Sequence, residues 1–327
     1  MPLTELHLAG AYGIPEILAY NTSHAAGDWN YPQFFPFWQI CPGLALRDAA
    51  ATEPHAGALL LVLNLNGKVW EGLEPRLARY GKTAQVLLEA YEGWELAYAQ
   101  AARFDAFINF DPTRAAAHPA FTRIHLPYDP ALSSSHRDQR GLRAWLALFQ
   151  FSKHRFLDIA FRQVLPPRRK AVMIAALAPP ERYQIRLRMA RRWADWVDVY
   201  GRGWPKELPN YRGVCISKVD VLRTYRYALV FENQRQPGYV TEKLLDPFVT
   251  GTVPLYHGAP DAPQELPAGM FVPFADEDAP LDRWIANDEL YRRTRAAILQ
   301  HRAEVFRRYD LRQFTESLGQ AIKSLSK

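Results

Sequence analysis

Eight short apolar runs punctuate the chain, at residues 5–8, 58–65, 84–88, 106–110, 172–177, 197–200, 228–231 and 253–256, most of them bounded by polar residues, Gly or Pro. Most lack strict apolar/polar alternation, which is the pattern of strands buried on both faces, and such strands belong to parallel sheets covered by helices. Amphipathic stretches fill several of the intervals. Residues 182–196 carry Ile185, Met189 and Trp193 on one stripe, and residues 241–250 have the same character. The alternation predicts an α/β fold built on parallel sheets.

At 327 residues the chain is long for one domain and ordinary for two. A polar stretch at 133–140, an amphipathic segment at 142–151 and the punctuation Pro166-Pro167-Arg168-Arg169-Lys170 mark a boundary, giving an N-terminal domain of residues 1–164 and a C-terminal domain of residues 165–327. Two doubly wound, Rossmann-like halves are expected, facing across a cleft with ligands at the carboxyl ends of the strands. Residues 290–325 read as one or two helices closing the molecule.

The longest apolar run, residues 57–65, is about half of the roughly 18 residues needed to span a bilayer. The N-terminus has no basic and apolar export signal, so a cytoplasmic protein is expected. Cys41 and Cys215 are too few for a disulfide framework and are expected buried and reduced. The nine histidines form no i,i+4 pair, and no carboxylate-linked metal cluster is expected among them. The net charge of +6 is localised: residues 161–213 hold 12 Lys/Arg against 4 Asp/Glu. Such a segment is a solvated basic helix face, a surface for nucleic acid or lipid, or a background potential for a small anionic ligand.

The segment FENQRQPGYVTEKLLDPFVTGTVPLYHG, residues 231–258, carries the most chemistry. A buried strand ends at Glu232 and Asn233, a loop with Pro237-Gly238 follows, and a helix starts near Thr241. Unpaired N–H groups and the dipole at a helix start attract an anion. Lys243 in the first turn is unfavourably placed for helix stability alone, and a bound anion accounts for it.

The order Phe-Glu-Asn, short loop, Gly-Tyr-Val-Thr-Glu-Lys, helix, Gly-x-Val-Pro-x-Tyr-x-Gly resembles the α1,3/α1,4-fucosyltransferase family. Val197-Asp198-Val199-Tyr200-Gly201-Arg202 and the arginine-bearing stretch from Arg182 to Leu187 are similar to the family's preceding strand and helix. The resemblance implies a GT-B-like architecture and an inverting transfer from GDP-β-L-fucose, held by the C-terminal domain, to a glycan hydroxyl. It implies that Lys243 and an arginine, Arg182 before Arg186, stabilise the departing diphosphate. Asn233, Tyr239 and Thr241 would contact the nucleotide or sugar, and Glu242 would lie against the sugar. The base is expected in the N-terminal domain at Glu89, which ends a strand similar to one in the family, with Glu92 and Glu95 as alternatives. Ala90 and His257 depart from the family pattern, which has Pro and Trp there.

The aromatic run at 31–38 is either an acceptor-stacking surface or a packed loop, and Leu126-Pro127-Tyr128 reads as structural. Neither Asp276-Glu277-Asp278 nor Asp195 with Asp198 follows a strand as a metal-binding Asp-x-Asp should, so no tightly bound cofactor and no required divalent cation are expected. The partners implied are GDP-fucose and an oligosaccharide or glycolipid acceptor, such as a bacterial surface-polysaccharide or lipopolysaccharide precursor. Nucleic acid is not expected, and contact with the inner face of a membrane is left open. Two other readings stand beside this one: the same fold with another GDP-sugar, and a non-catalytic basic binder of nucleic acid or lipid, whose affinity would fall steeply with salt.

Overall fold

The structure, a computed structural model, describes residues 3–10, 18, 41, 43–88, 94–128, 168–177, 183–214 and 218–325. It divides into two compact units, Met1–Pro127 with Gln236–Tyr239 and Arg308–Lys327, and Tyr128–Arg235 with Val240–Arg307.

The first unit is built on β1 (Glu5–Gly10), β2 (Ala45–Asp48), β3 (Ala58–Leu63), β4 (Lys82–Leu87), β5 (Ala106–Asn109) and β6 (Phe121–Arg123). They form one sheet in the order β2-β1-β3-β4-β5-β6, and each pairing is parallel. Every residue of β3 is buried, as an unbroken apolar run in a central parallel strand requires. Helix α1 (Gly67–Leu73) starts at Asn66, whose side chain accepts from Val69 N–H, and α2 (Trp94–Gln100) precedes β5.

The second unit contains β7 (Arg168–Ile174), α3 (Gln184–Arg192), β8 (Val197–Tyr200), α4 (Lys218–Arg223), β9 (Tyr225–Phe231), α5 (Glu242–Thr250), β10 (Val253–His257), α6 (Ala262–Glu265), β11 (Val272–Pro273), α7 (Leu281–Ala286) and α8 (Asp288–Arg308). Its sheet runs β11-β10-β9-β7-β8, again parallel throughout. From β7 the chain winds outward to β8, then returns to the other side of β7 as β9. The reversal between β7 and β9 is a topological switch point, where loops leave in opposite directions and open a crevice at the carboxyl edge.

The expected pair of doubly wound α/β halves is therefore present, and all eight apolar runs are strands. The three strands without such a run, β2, β6 and β11, are the short outer strands, where one side of the ladder needs no apolar cover. The division differs from residues 1–164 and 165–327 at both ends. The C-terminal helix Leu311–Leu325 buries Phe314, Leu318, Ala321, Ile322 and Leu325 in the core around β1 to β5, so it belongs to the first unit. Tyr128 is counted in the second unit, where its hydroxyl donates to Asp246, and the helix expected at 142–151 lies outside the described residues.

Helix α3 buries Arg186, Leu187, Met189 and Ala190; of the expected stripe only Met189 is fully covered, because carbonyl groups draw Arg186 inward. Cys41 is buried as expected, and burial pushes its thiol up to about 12; Cys215 is outside the described residues. Among the described residues no helix is long and apolar enough to cross a membrane.

Candidate functional site

The carboxyl ends of β9 and β10 are level, with Phe231 opposite His257, and the ladder continues as Glu232 N–H donates to His257 O at 3.0 Å. Glu232 is thereby drawn inside and is only 5% exposed. Its carboxylate accepts from Thr241 N–H at 3.0 Å and from Thr241 Oγ1 at 2.6 Å, and Tyr256 Oη lies 3.5 Å away. Burial pushes the Glu232 carboxyl above its ordinary range, while nearby Lys243 pulls it down. Gly258 is required here: a Cβ would stand 2.2 Å from Tyr256 Oη and 2.6 Å from Glu232 Cγ.

Thr241 is the N-cap of α5, its side chain accepting from Lys243 N–H, and Gly251 in the left-handed region with φ 72° ends the helix. Lys243 Nζ lies 3.3 Å from Thr241 Oγ1, 3.3 Å from Glu242 Oε1 and 3.8 Å from Glu232 Oε2. Lys218, at the start of α4, lies 3.7 Å from the same Glu242 oxygen and 3.2 Å from Asp246 Oδ2. Asp246, 2% exposed, also accepts from Tyr128 Oη at 3.0 Å. Carboxylates and ammonium groups thus alternate from Glu232 through Lys243, Glu242 and Lys218 to Asp246. A small pocket is bounded by Val172, Ile174 and Phe231 of the sheet and by Lys218, Lys243 and Asp246 of the helices.

Arg186, 3% exposed, ties the switch point together. It donates to Ala176 O after β7 at 2.9 Å, to Phe231 O and Glu232 O of β9 at 3.3 and 3.2 Å, and to Asn233 Oδ1 at 3.2 Å. Its guanidinium also lies over the Tyr183 ring at 3.9 Å. With Oδ1 of Asn233 accepting from Arg186, the amide NH2 is the group left to donate. Arg186, second in order as the diphosphate arginine, joins these strand ends at the switch point. His257, the departure at the end of β10, is 9% exposed between Phe231 and Phe274, with Nδ1 unpartnered. Burial, then the charge of Arg235, lowers its pKa to about 4.

Thr241, Glu242 and Lys243 are brought together as expected from the sequence, while Asn233 joins Arg186. Tyr239 packs in the first unit, its ring 5.2 Å from Phe110. Arg182, Glu89, Glu92 and the aromatic run at 31–38 lie outside the described residues, and Glu95 is exposed in the first turn of α2. Leu88, one residue before Glu89, donates its N–H to Asn64 Oδ1 at 2.7 Å, and Asn64 holds a left-handed φ of 55°.

Glu232, Lys218, Asp246 and Tyr128 are members of the cluster that the sequence reading did not assign. A faint signal existed for Asp246, four residues from Glu242 on one helix face. Nothing local pointed to Lys218. Tyr128, read as structural, supports the buried carboxylate of Asp246 in the second unit.

The acidic strings have internal partners. Asp198 accepts from Arg212 at 2.9 Å and from Tyr225 at 2.8 Å, Glu277 from Arg188 at 2.7 Å, and Asp278 from Arg192 at 2.9 Å. These pairs engage three of the twelve Lys/Arg of the basic segment, Arg188, Arg192 and Arg212. Glu5, His7 and His55 form a hydrogen-bonded histidine–carboxylate cluster, because parallel pairing sets β1 beside the residues leading into β3. Glu5 Oε2 lies 2.8 Å from His7 Nε2 and 3.1 Å from His55 Nε2. Gly57 N–H donates to His55 Nδ1 at 3.2 Å, which leaves the proton of a neutral ring on Nε2, facing Glu5.

Residues 170–279, which contain the whole cluster from Lys218 to His257, match the family described as glycosyltransferase family 10 (fucosyltransferase) C-term. The likeness to that family covers about a third of the chain. Human alpha-(1,3)-fucosyltransferase 7 is 40% identical over 95 residues, covering 27% of this chain and 26% of that protein. Alpha-(1,3)-fucosyltransferase FucT of Helicobacter pylori is 38% identical over 56 residues, 17% of this chain and 12% of that protein. The chain thus spans about a quarter of the human relative and less of the bacterial one. A crystal structure of alpha1,3-fucosyltransferase with GDP-fucose superposes with a TM-score of 0.61 at 18% identity, covering 100% of this chain and 91% of that one. Anabaena HepE in complex with UDP gives 0.58 at 9% identity, covering 98% and 100%. These likenesses show the GT-B-like fold.

Proposed function

We propose that this chain transfers L-fucose from GDP-β-L-fucose to a hydroxyl of a glycan acceptor, with inversion at the anomeric carbon. The observation that carries the reading is Lys243 in the first turn of α5, at the carboxyl edge beside the β7/β9 switch point, within the segment matched to the fucosyltransferase family. In the reaction the acceptor oxygen bonds to the anomeric carbon as the bond to the β-phosphate oxygen breaks. The electron pair leaves with GDP, and the acceptor proton passes to a carboxylate.

Lys243 and the positive end of the α5 dipole offset the charge growing on GDP. Glu242 stands beside the sugar, where its charge supports a cationic ring in the transition state. The base is Glu89, with Glu92 and Glu95 as alternatives; Asn64 fixes the backbone immediately before Glu89. Arg182 is the arginine proposed to join Lys243 on the diphosphate, and Tyr239 is proposed for the nucleotide or sugar through its place in the motif. The acceptor is proposed to be a bacterial surface-glycan or lipopolysaccharide precursor, fucosylated at O3 or O4 on the cytoplasmic side of a membrane without a divalent cation.

Release of GDP from a panel of nucleotide sugars, in the presence of an oligosaccharide acceptor and EDTA, tests the reading. Turnover of GDP-fucose with chelator present is the expected result. Preference for a different GDP-sugar would transfer the fold to the second donor class, and no turnover of any GDP-sugar would remove the enzymatic reading.

A further inference from the structure

The described residues of the second unit put two ammonium groups on one carboxylate oxygen. Lys243 Nζ stands 3.3 Å and Lys218 Nζ 3.7 Å from Glu242 Oε1, and both lysines line the same pocket. The two arrive from different helices, Lys218 from the start of α4 and Lys243 from the first turn of α5. Lys218 is anchored from behind by Asp246 Oδ2 at 3.2 Å, while Tyr128 occupies the other oxygen of that carboxylate. Asp246 is 2% exposed, and a carboxylate that deep requires partners. Pairing Asp246 is one task for Lys218. Its reach to Glu242 is a second, which Asp246 alone does not need.

We propose that Lys218 is a positioning residue of the donor site: it holds the Glu242 carboxylate, so that Lys243 remains available to an incoming diphosphate. Lys243 is the nearer of the two cations to Glu242 Oε1, at 3.3 Å against 3.7 Å, so Lys218 shares that carboxylate; without Lys218, an anionic ligand must compete with an unshared Glu242 charge for the Lys243 ammonium group. The inference rests on the donor-site reading above and adds a residue that reading does not contain. Lys218 acts on the ligand through Glu242 and Lys243.

Calorimetric titration with GDP tests it in a set of variants that keeps the buried charge balanced. Lys218→Met/Asp246→Asn removes the cation together with the carboxylate it neutralises, and the amide oxygen introduced at position 246 can still accept from Tyr128. GDP affinity is expected to fall about tenfold, in line with the loss of one partly buried charge contact. Adding Glu242→Gln removes the competing charge and should return GDP affinity to within about threefold of wild type, a coupling that a purely structural role for Lys218 does not produce. Lys218→Arg with Asp246 intact should bind like wild type. Unchanged GDP affinity in the double variant, or failure of Glu242→Gln to restore it, overturns the role of Lys218 alone. A wild-type chain that does not bind GDP overturns the donor-site reading and this inference with it.

Discussion

Thr241 donates twice to the carboxylate of Glu232, from its backbone N–H at 3.0 Å and from its hydroxyl at 2.6 Å. The same hydroxyl oxygen accepts from Lys243 N–H and lies 3.3 Å from Lys243 Nζ. One side chain therefore caps α5, satisfies a buried acid and sets the lysine that faces the pocket. The motif order Glu-Asn, loop, Thr-Glu-Lys acquires a physical reason: the acid ends a strand, and the helix that follows is capped against it.

Thr241→Val keeps the shape and the backbone donor but loses the hydroxyl. It should cost about 1–2 kcal/mol of stability, from a lost cap and a lost hydrogen bond to a buried carboxylate. Thr241→Ser should recover most of that loss. Urea denaturation of the three proteins measures it, and equal midpoints for Val and wild type would show that the hydroxyl contributes nothing.

Asn64 accepts Leu88 N–H while holding a left-handed φ of 55°. Asn64→Gly and Asn64→Ala both lose the acceptor, but only Ala also bears left-handed strain of about 1 kcal/mol. Stability should fall in the order wild type, Gly, Ala. If Glu89 is the base, both variants should lower kcat more than they raise KM for GDP-fucose. A kcat unchanged in both variants would separate this strand end from the chemistry.

His257 is held neutral by burial, with its pKa lowered to about 4 from an ordinary 6.5. Between those values the unfolded chain binds a proton that the folded one does not, so stability is present above pH 6.5 and is lost as the pH falls toward 4. His257→Phe, flanked by the rings of Phe231 and Phe274, should remove this component. Its slope is at most about 1.4 kcal/mol per pH unit. Denaturation curves at pH 7 and pH 5 decide it: the two proteins should diverge in acid, and parallel loss of stability would exclude His257 as the titrating group.

Much of the fold was legible because central parallel strands cannot be polar. The run at 58–65 carries the unbroken apolar signature that burial on both faces demands, and its Ala58–Leu63 portion is the fully buried β3. The strands β2, β6 and β11 were not legible, since an outer strand of two to four residues needs little apolar sequence. At the site, Thr241, Glu242 and Lys243 were readable because they are consecutive at a helix start. Lys218 and Tyr128 meet Asp246 from 28 and 118 residues away, and only the folded chain brings such groups together. The cluster of Glu5, His7 and His55 was missed for the same reason, its two hydrogen bonds spanning 2 and 50 residues. The main-chain carbonyls that hold Arg186, from Ala176, Phe231 and Glu232, leave no trace in the sequence.

Calorimetric titration of GDP-fucose into the wild-type chain and into Lys243→Ala measures whether the start of α5 holds the donor. Loss of one charge-assisted contact to a phosphate should weaken binding by about 10- to 100-fold, with the fold retained by circular dichroism. Equal affinity in the two proteins would contradict the assignment of the donor diphosphate to Lys243.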